Sequence, residues 1–66
     1  MTDATRETLR SIAFDAARAG KSFDETIAGS VDQLGPLCGD GGATALDLIV
    51  ECEELYEFAS KAMLRG

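Results

Sequence analysis

Residues 40–64, DGGATALDLIVECEELYEFASKAML, decide the fold. After Gly42 the stretch contains no Pro and no Gly, the two residues that most readily end a helix. With Leu46 as origin and about 100° per residue, the positions Ala45, Leu48, Ile49, Cys52, Leu55, Tyr56, Ala59, Ala62 and Met63 fall within one arc of roughly 140°. That is a core-facing stripe, and it predicts one long helix over residues 42–64. Asp47, Glu51, Glu53, Glu54 and Glu57 lie opposite it, with Lys61 and Arg65 in the final turns. Acid early and base late is the order a helix dipole favours. Asp40 is the expected N-cap, with Gly41 and Gly42 in the first turn. Leu46, Val50 and Leu64 fall on the polar side, and Phe58 lies near its edge. They either widen the buried arc or form a second contact surface.

Working outward, the preceding stretch GPLCGDGG (35–42) holds four of the seven glycines and the single proline, which makes it the main loop. Before it, Ser22-Phe23-Asp24-Glu25 fits the capping box S-x-x-E, in which hydroxyl and carboxylate satisfy free N–H groups. Phe23, Ile27, Val31 and Leu34 then recur at spacings of four, four and three, predicting a helix over 23–34 that stops before Gly35-Pro36. Gly29 weakens that helix by about 1 kcal/mol relative to Ala. A first helix is expected over 4–19, capped by Thr2 or Asp3 and closed by Gly20 at C′. Thr5, Leu9, Ile12, Ala13, Ala16 and Ala17 line its inner side. Phe14 stands about 140° away from Leu9 and either wraps under a neighbouring helix or faces a partner. The expected fold is all-α: a compact three-helix arrangement with a long C-terminal helix, in a single domain over residues 1–66.

A domain of 66 residues is marginally stable, because it buries only about 60% of its unfolded surface. Disulfides, metals and oligomerisation are the usual supplements. Cys38 and Cys52 are fourteen positions apart, with no CxxC. If residues 41–52 are helical they span about 16 Å, and three extended residues return at most about 10 Å. Bridged Cα atoms must lie within about 7 Å. An internal bridge thus sits at the edge of what the geometry allows, and Cys52 reads better as a buried small apolar residue and Cys38 as a loop thiol, in a reducing compartment. With no His and no clustered Cys, neither a metal site nor a cofactor is expected. No apolar run of membrane-spanning length occurs, and MTDATRETLR does not read as a signal peptide. A cytoplasmic location is expected.

The formal charge is −6, unevenly distributed. Residues 1–21 hold three acids and four bases, whereas residues 22–60 hold nine acids and no base. Such a surface repels nucleic acid and attracts basic proteins. The glycine-rich loop lacks the Lys and Ser/Thr of a phosphate-binding loop, and Asp40 would repel phosphate. Ser11, Ser22, Ser30 and Ser60 have no His to activate them. The helix carboxylates lack the E-x-x-H partner of di-iron bundles and a pocket to separate their pKa values. The chain is therefore expected to be a binding protein rather than an enzyme, with no catalytic residue.

The acidic face, Asp47, Glu51, Glu53, Glu54 and Glu57, is either a solvated surface that keeps a small apolar domain soluble or a set of stand-ins for backbone phosphates. Helical turns place carboxylates about 5–6 Å apart, and Asp24, Glu25 and Asp32 are candidates to extend the stripe. In this profile, very small, strongly acidic and all-helical over its whole length, the chain resembles the phage-encoded inhibitors that include anti-CRISPR proteins and other DNA mimics. The resemblance implies a phage or bacterial origin. It also implies a partner with a basic nucleic-acid-binding surface, such as a CRISPR–Cas effector subunit, and no direct binding of nucleic acid. The alternative is a homo-oligomeric helical module or small regulatory subunit, such as a homodimer. It would pair through Phe14, Leu46, Val50, Phe58 and Leu64.

Overall fold

The computed structural model describes residues 1–65, without the side chains of Asp40 and Arg65. The described chain is helical: α1 (Asp3–Ala19), α2 (Phe23–Gly29), α3 (Val31–Leu34) and α4 (Ala45–Arg65), with short 3₁₀ turns at Gly35–Leu37 and Asp40–Gly42. It is all-α with a long C-terminal helix, as its periodicity predicts.

The ends of α1 follow from local chemistry. Thr2 caps the start, its hydroxyl accepting from the Thr5 N–H at 3.3 Å. Gly20 closes the helix in the left-handed region at φ 73°, its N–H reaching the Ala16 and Ala17 carbonyls. The Lys21 N–H also donates to Ala16, at 3.0 Å, completing a Schellman-type stop. Ser22 begins α2 as expected, accepting from the Glu25 N–H at 3.2 Å.

The helix expected over 23–34 is broken. Ser30, at φ −110° and ψ 8°, leaves helical geometry, so α2 stops at Gly29 and α3 restarts at Val31. Gly29 costs helix propensity at the break, and the Ser30 carbonyl accepts from both Gln33 and Leu34, starting the new turn. The rotation at Ser30 turns Val31 out to 59% exposure while Leu34 stays buried. Thr26 and Ser30 are buried in its stead. The Thr26 hydroxyl is satisfied by donating to the Ser22 carbonyl at 2.8 Å.

The start of α4 also differs from expectation. Its first residue is Ala45 rather than residue 42, and the cap is Thr44 rather than Asp40. The Asp47 N–H donates to the Thr44 hydroxyl at 3.2 Å, and the Thr44 N–H donates to the Asp47 carboxylate at 3.0 Å. This reciprocal capping box satisfies two N–H groups that would otherwise lack partners. Glycines at positive φ, Gly39, Gly41 and Gly42, fold the loop before it. At Gly41 the freedom is required twice over: φ is +61°, and a Cβ would meet the Met1 nitrogen at 3.0 Å.

The core lies mainly between α1 and α4, which share the most extensive contact of any two described elements. Leu9, Ala13, Leu34, Ala43, Leu48 and Cys52 form it, with Ile12, Phe23, Ile27, Leu55 and Tyr56 packed around. Ala13, Ala16, Cys52 and Ala59 are all buried, and such small side chains let helices approach closely. Arg6 pairs with Glu51, and Phe14 stacks on Phe58, so α1 and α4 run in the same direction. The α2–α3 segment returns the chain between them. Phe23 packs on Tyr56 with ring centroids 5.7 Å apart, and the Tyr56 hydroxyl donates to the Lys21 carbonyl, tying the α1–α2 turn to α4. The buried stripe of α4 is shorter than the apolar pattern: Ala45 and Ala62 are exposed, and Met63 is 37% exposed.

Candidate functional site: the two outer faces of the last helix

Because α1 and α2 cover one side of α4, the remaining surface divides into an outward face and a flank along α1. Glu53, Glu54 and Glu57 are exposed and form no ion pair among the described residues. The contrast with α1 is direct. Arg10 pairs with Glu7 at 3.6 Å and Arg18 with Asp15 at 2.8 Å, each within one helical turn. Arg6 reaches across to Glu51 at 3.7 Å, so Glu51 is half-buried and partnered rather than part of an open stripe. The arginines of α1 are thus matched to neighbouring acids, and the carboxylates on the outward face of α4 are not.

Asp47 belongs to the cap. Hydrogen bonds from the Thr44 backbone N–H, and next from the Thr44 side chain, hold its carboxyl below the ordinary carboxylate range. It is exposed and charged, but its position is dictated by Thr44. Asp24, Glu25 and Asp32 are exposed as well. Glu25 lines a groove between α1 and α2, together with Ser11, Asp15, Lys21 and Gln33, and so stands away from the outward face of α4. Asp24 lies beside Phe23 near Tyr56, and Asp32 lies further along, in α3. Glu53, Glu54 and Glu57 therefore form the compact acidic group, and the second-helix acids are spread around the domain.

The exposed apolar residues are distributed as informatively. Leu46 is 68%, Val50 47% and Phe58 65% exposed. Leu46 and Val50 line a groove with Met1, Arg6, Glu51 and Glu54, on the flank of α4 that borders α1. Phe58 stands two turns beyond Val50, turned about 80° further round the helix, and its ring packs at 6.4 Å from that of Phe14. Of the five residues singled out as contact candidates, Leu46 and Val50 thus share one groove, while Phe14 and Phe58 form a separate contact between α1 and α4. Leu64 stands apart, 87% exposed near the end of the helix. Val31, also exposed, escaped the sequence reading because the break at Ser30 that turns it outward leaves no mark in the apolar spacing.

Both thiols are free, Cys38 exposed and Cys52 buried. Burial pushes the Cys52 thiol up, which keeps it protonated and unreactive. Among the described residues no group of three or more acidic or thiol side chains is placed to hold a metal ion, and no helix is long and apolar enough to cross a membrane. The fold thus defines an all-α domain built on two parallel helices, with an acidic outward face and a mixed flank. The chain matches no protein-family model, no curated protein and no solved structure.

Proposed function

We propose that this chain is a non-enzymatic inhibitor whose acidic surface occupies a basic, nucleic-acid-binding surface of another protein, in the manner of an anti-CRISPR-type DNA mimic. The observation that carries the reading is that Glu53, Glu54 and Glu57 form no ion pair among the described residues, beside a helix whose arginines are each matched to an acid. Carboxylates left unpaired on a rigid helix keep their full field for an incoming cationic surface. Their anchorage to a continuous helix also limits the ordering cost on binding. Asp24 and Asp32 add to the negative field from other sides of the domain.

Pull-down with the tagged chain at about 0.1 M and about 0.5 M salt, read by mass spectrometry, tests this. The screening length falls from about 10 Å to about 4 Å between the two. Capture of a nucleic-acid-handling protein at the lower salt only is the expected result. Capture that survives the higher salt undiminished would contradict an electrostatic decoy. A second reading, a homo-oligomeric helical module, draws support from the exposure of Leu46 and Val50 in one groove and of Phe58 two turns further along.

A further inference from the structure

Ser30, at the break between α2 and α3, is only 8% exposed and lines the groove that these helices form with α1. Its backbone is fully used: the N–H donates to the Ile27 carbonyl, and the carbonyl accepts from Gln33 and Leu34. Its hydroxyl caps no helix and has no hydrogen-bond partner among the described residues. Thr26, one turn earlier and also buried, shows the contrast, since its hydroxyl donates to the Ser22 carbonyl at 2.8 Å. No side-chain polar atom sealed from the surface lacks a partner among the described residues, so the Ser30 hydroxyl opens into the groove. There it is free to bond whatever enters, and a nearly buried hydroxyl gains more from a partner than an exposed one.

We infer that this groove holds a short, extended, uncharged peptide segment of a partner protein, with Ser30 bonding its backbone. The lining narrows the occupant by its chemistry. Arg18 already holds Asp15 at 2.8 Å, and Lys21 and Glu25 bring opposite charges, so the groove selects neither an anion nor a cation. The described lining includes no aromatic ring, which leaves no stacking platform for a base. Away from the Gly20 turn the lining is neutral and polar, with Ser11 and Gln33 on either side of Ser30. A hydroxyl and a carboxamide each donate and accept, which matches the N–H and C=O of a peptide backbone. From Thr8 to Ala19 the α1 wall runs about 16 Å, the length of about five extended residues at about 3.3 Å each. Gly29 keeps the opposite wall open, since a Cβ there would meet nothing within 4 Å. The groove stands away from the outward face of α4, so this inference is independent of the acidic reading.

Selection of a random displayed peptide library on the immobilised full chain tests this, followed by fluorescence anisotropy of the enriched peptides. Native chain, S30A, G29L and E53K/E57K are compared, with far-UV circular dichroism of each to verify folding. The enriched peptides are expected to be uncharged and to bind the native chain saturably. S30A should weaken them by about tenfold, the loss of one hydrogen bond in a nearly buried site. G29L places a side chain in open space without displacing the fold, and should block binding more completely. E53K/E57K should leave the peptides bound as before. A library that enriches nothing would mean that water alone serves the Ser30 hydroxyl, and would overturn the inference. Equal binding by G29L would overturn the groove as the site, and equal binding by S30A would overturn the role of Ser30. Basic peptides lost only in E53K/E57K would overturn the inference while favouring the acidic reading.

Discussion

Helices α1 and α4 lie side by side, run in the same direction and bury the same kind of small residues, yet they treat charge in opposite ways. On α1 every arginine has an acid within reach: Glu7, Asp15 or, across the helix pair, Glu51. On α4 the outward carboxylates stand alone among the described residues. Surface ion pairs contribute little to stability, so the difference concerns what each helix presents to its surroundings. Pairing leaves the surface of α1 bland at a distance; the absence of pairing leaves the outward face of α4 with an open negative field. Buried and charged residues occupy opposite faces of one helix, and substitutions on the two faces should have separate effects.

The largest effect is expected inside. Leu9 and Leu48 are almost wholly buried, one on each helix. Replacing either by Ala should cost about 2–5 kcal/mol in chemical denaturation, whereas Leu46→Ala on the exposed side should change stability by no more than about 0.5 kcal/mol. Equal losses at positions 46 and 48 would erase the division between the faces. Next in size is Gly41→Ala, where the left-handed backbone and the Met1 nitrogen at 3.0 Å both resist a Cβ. A loss of about 1–2 kcal/mol is expected for the conformation alone. Thr44→Ala should cost about 1 kcal/mol by removing the hydroxyl that caps α4. An unchanged melting temperature would return the cap to Asp40.

The Asp47 half of the cap has a pH signature. Its carboxyl is held below the ordinary carboxylate range, so the bond from the Thr44 N–H stabilises the fold above that range. The contribution fades as pH falls through the lowered value. Asp47→Asn should flatten the acid limb of the stability profile slightly. Smallest is the thiol chemistry: a thiol reagent should label Cys38 in the folded chain and Cys52 only on unfolding. Rapid labelling of both would show that the α1–α4 seam opens readily.

The long α4 stripe, the Ser22 cap and the Gly20 stop were legible in the sequence because each depends on residues within a turn or two. What escaped it depends on contacts or on competing local bonds. Asp47 counted as one more acid on a charged face, and only its hydrogen bonds with Thr44 reveal it as half of a cap. The apolar spacing through Val31 describes a straight helix, and Ser30 breaks it. Thr26 and Ser30 are buried although hydropathy places hydroxyls outside; the Thr26 hydroxyl, for one, bonds to a local carbonyl. Of the candidate acids, the group on α4 was legible as a helical face. The place of Glu25 in the groove beside α1 required knowing how α2 packs, and the partnering of Glu51 by Arg6 required knowing that α1 and α4 are parallel. That same fact brings Phe14 and Phe58, separately anomalous in the sequence, into one contact.

On the proposed function, the outward carboxylates of α4 act on a partner and not on the fold. The most direct measurement compares capture of the low-salt partner by the native chain and by E53K/E57K, with circular dichroism and thermal unfolding recorded on both. Lost capture with unchanged helicity and melting temperature is the expected result. Capture retained by the folded variant would contradict the claim.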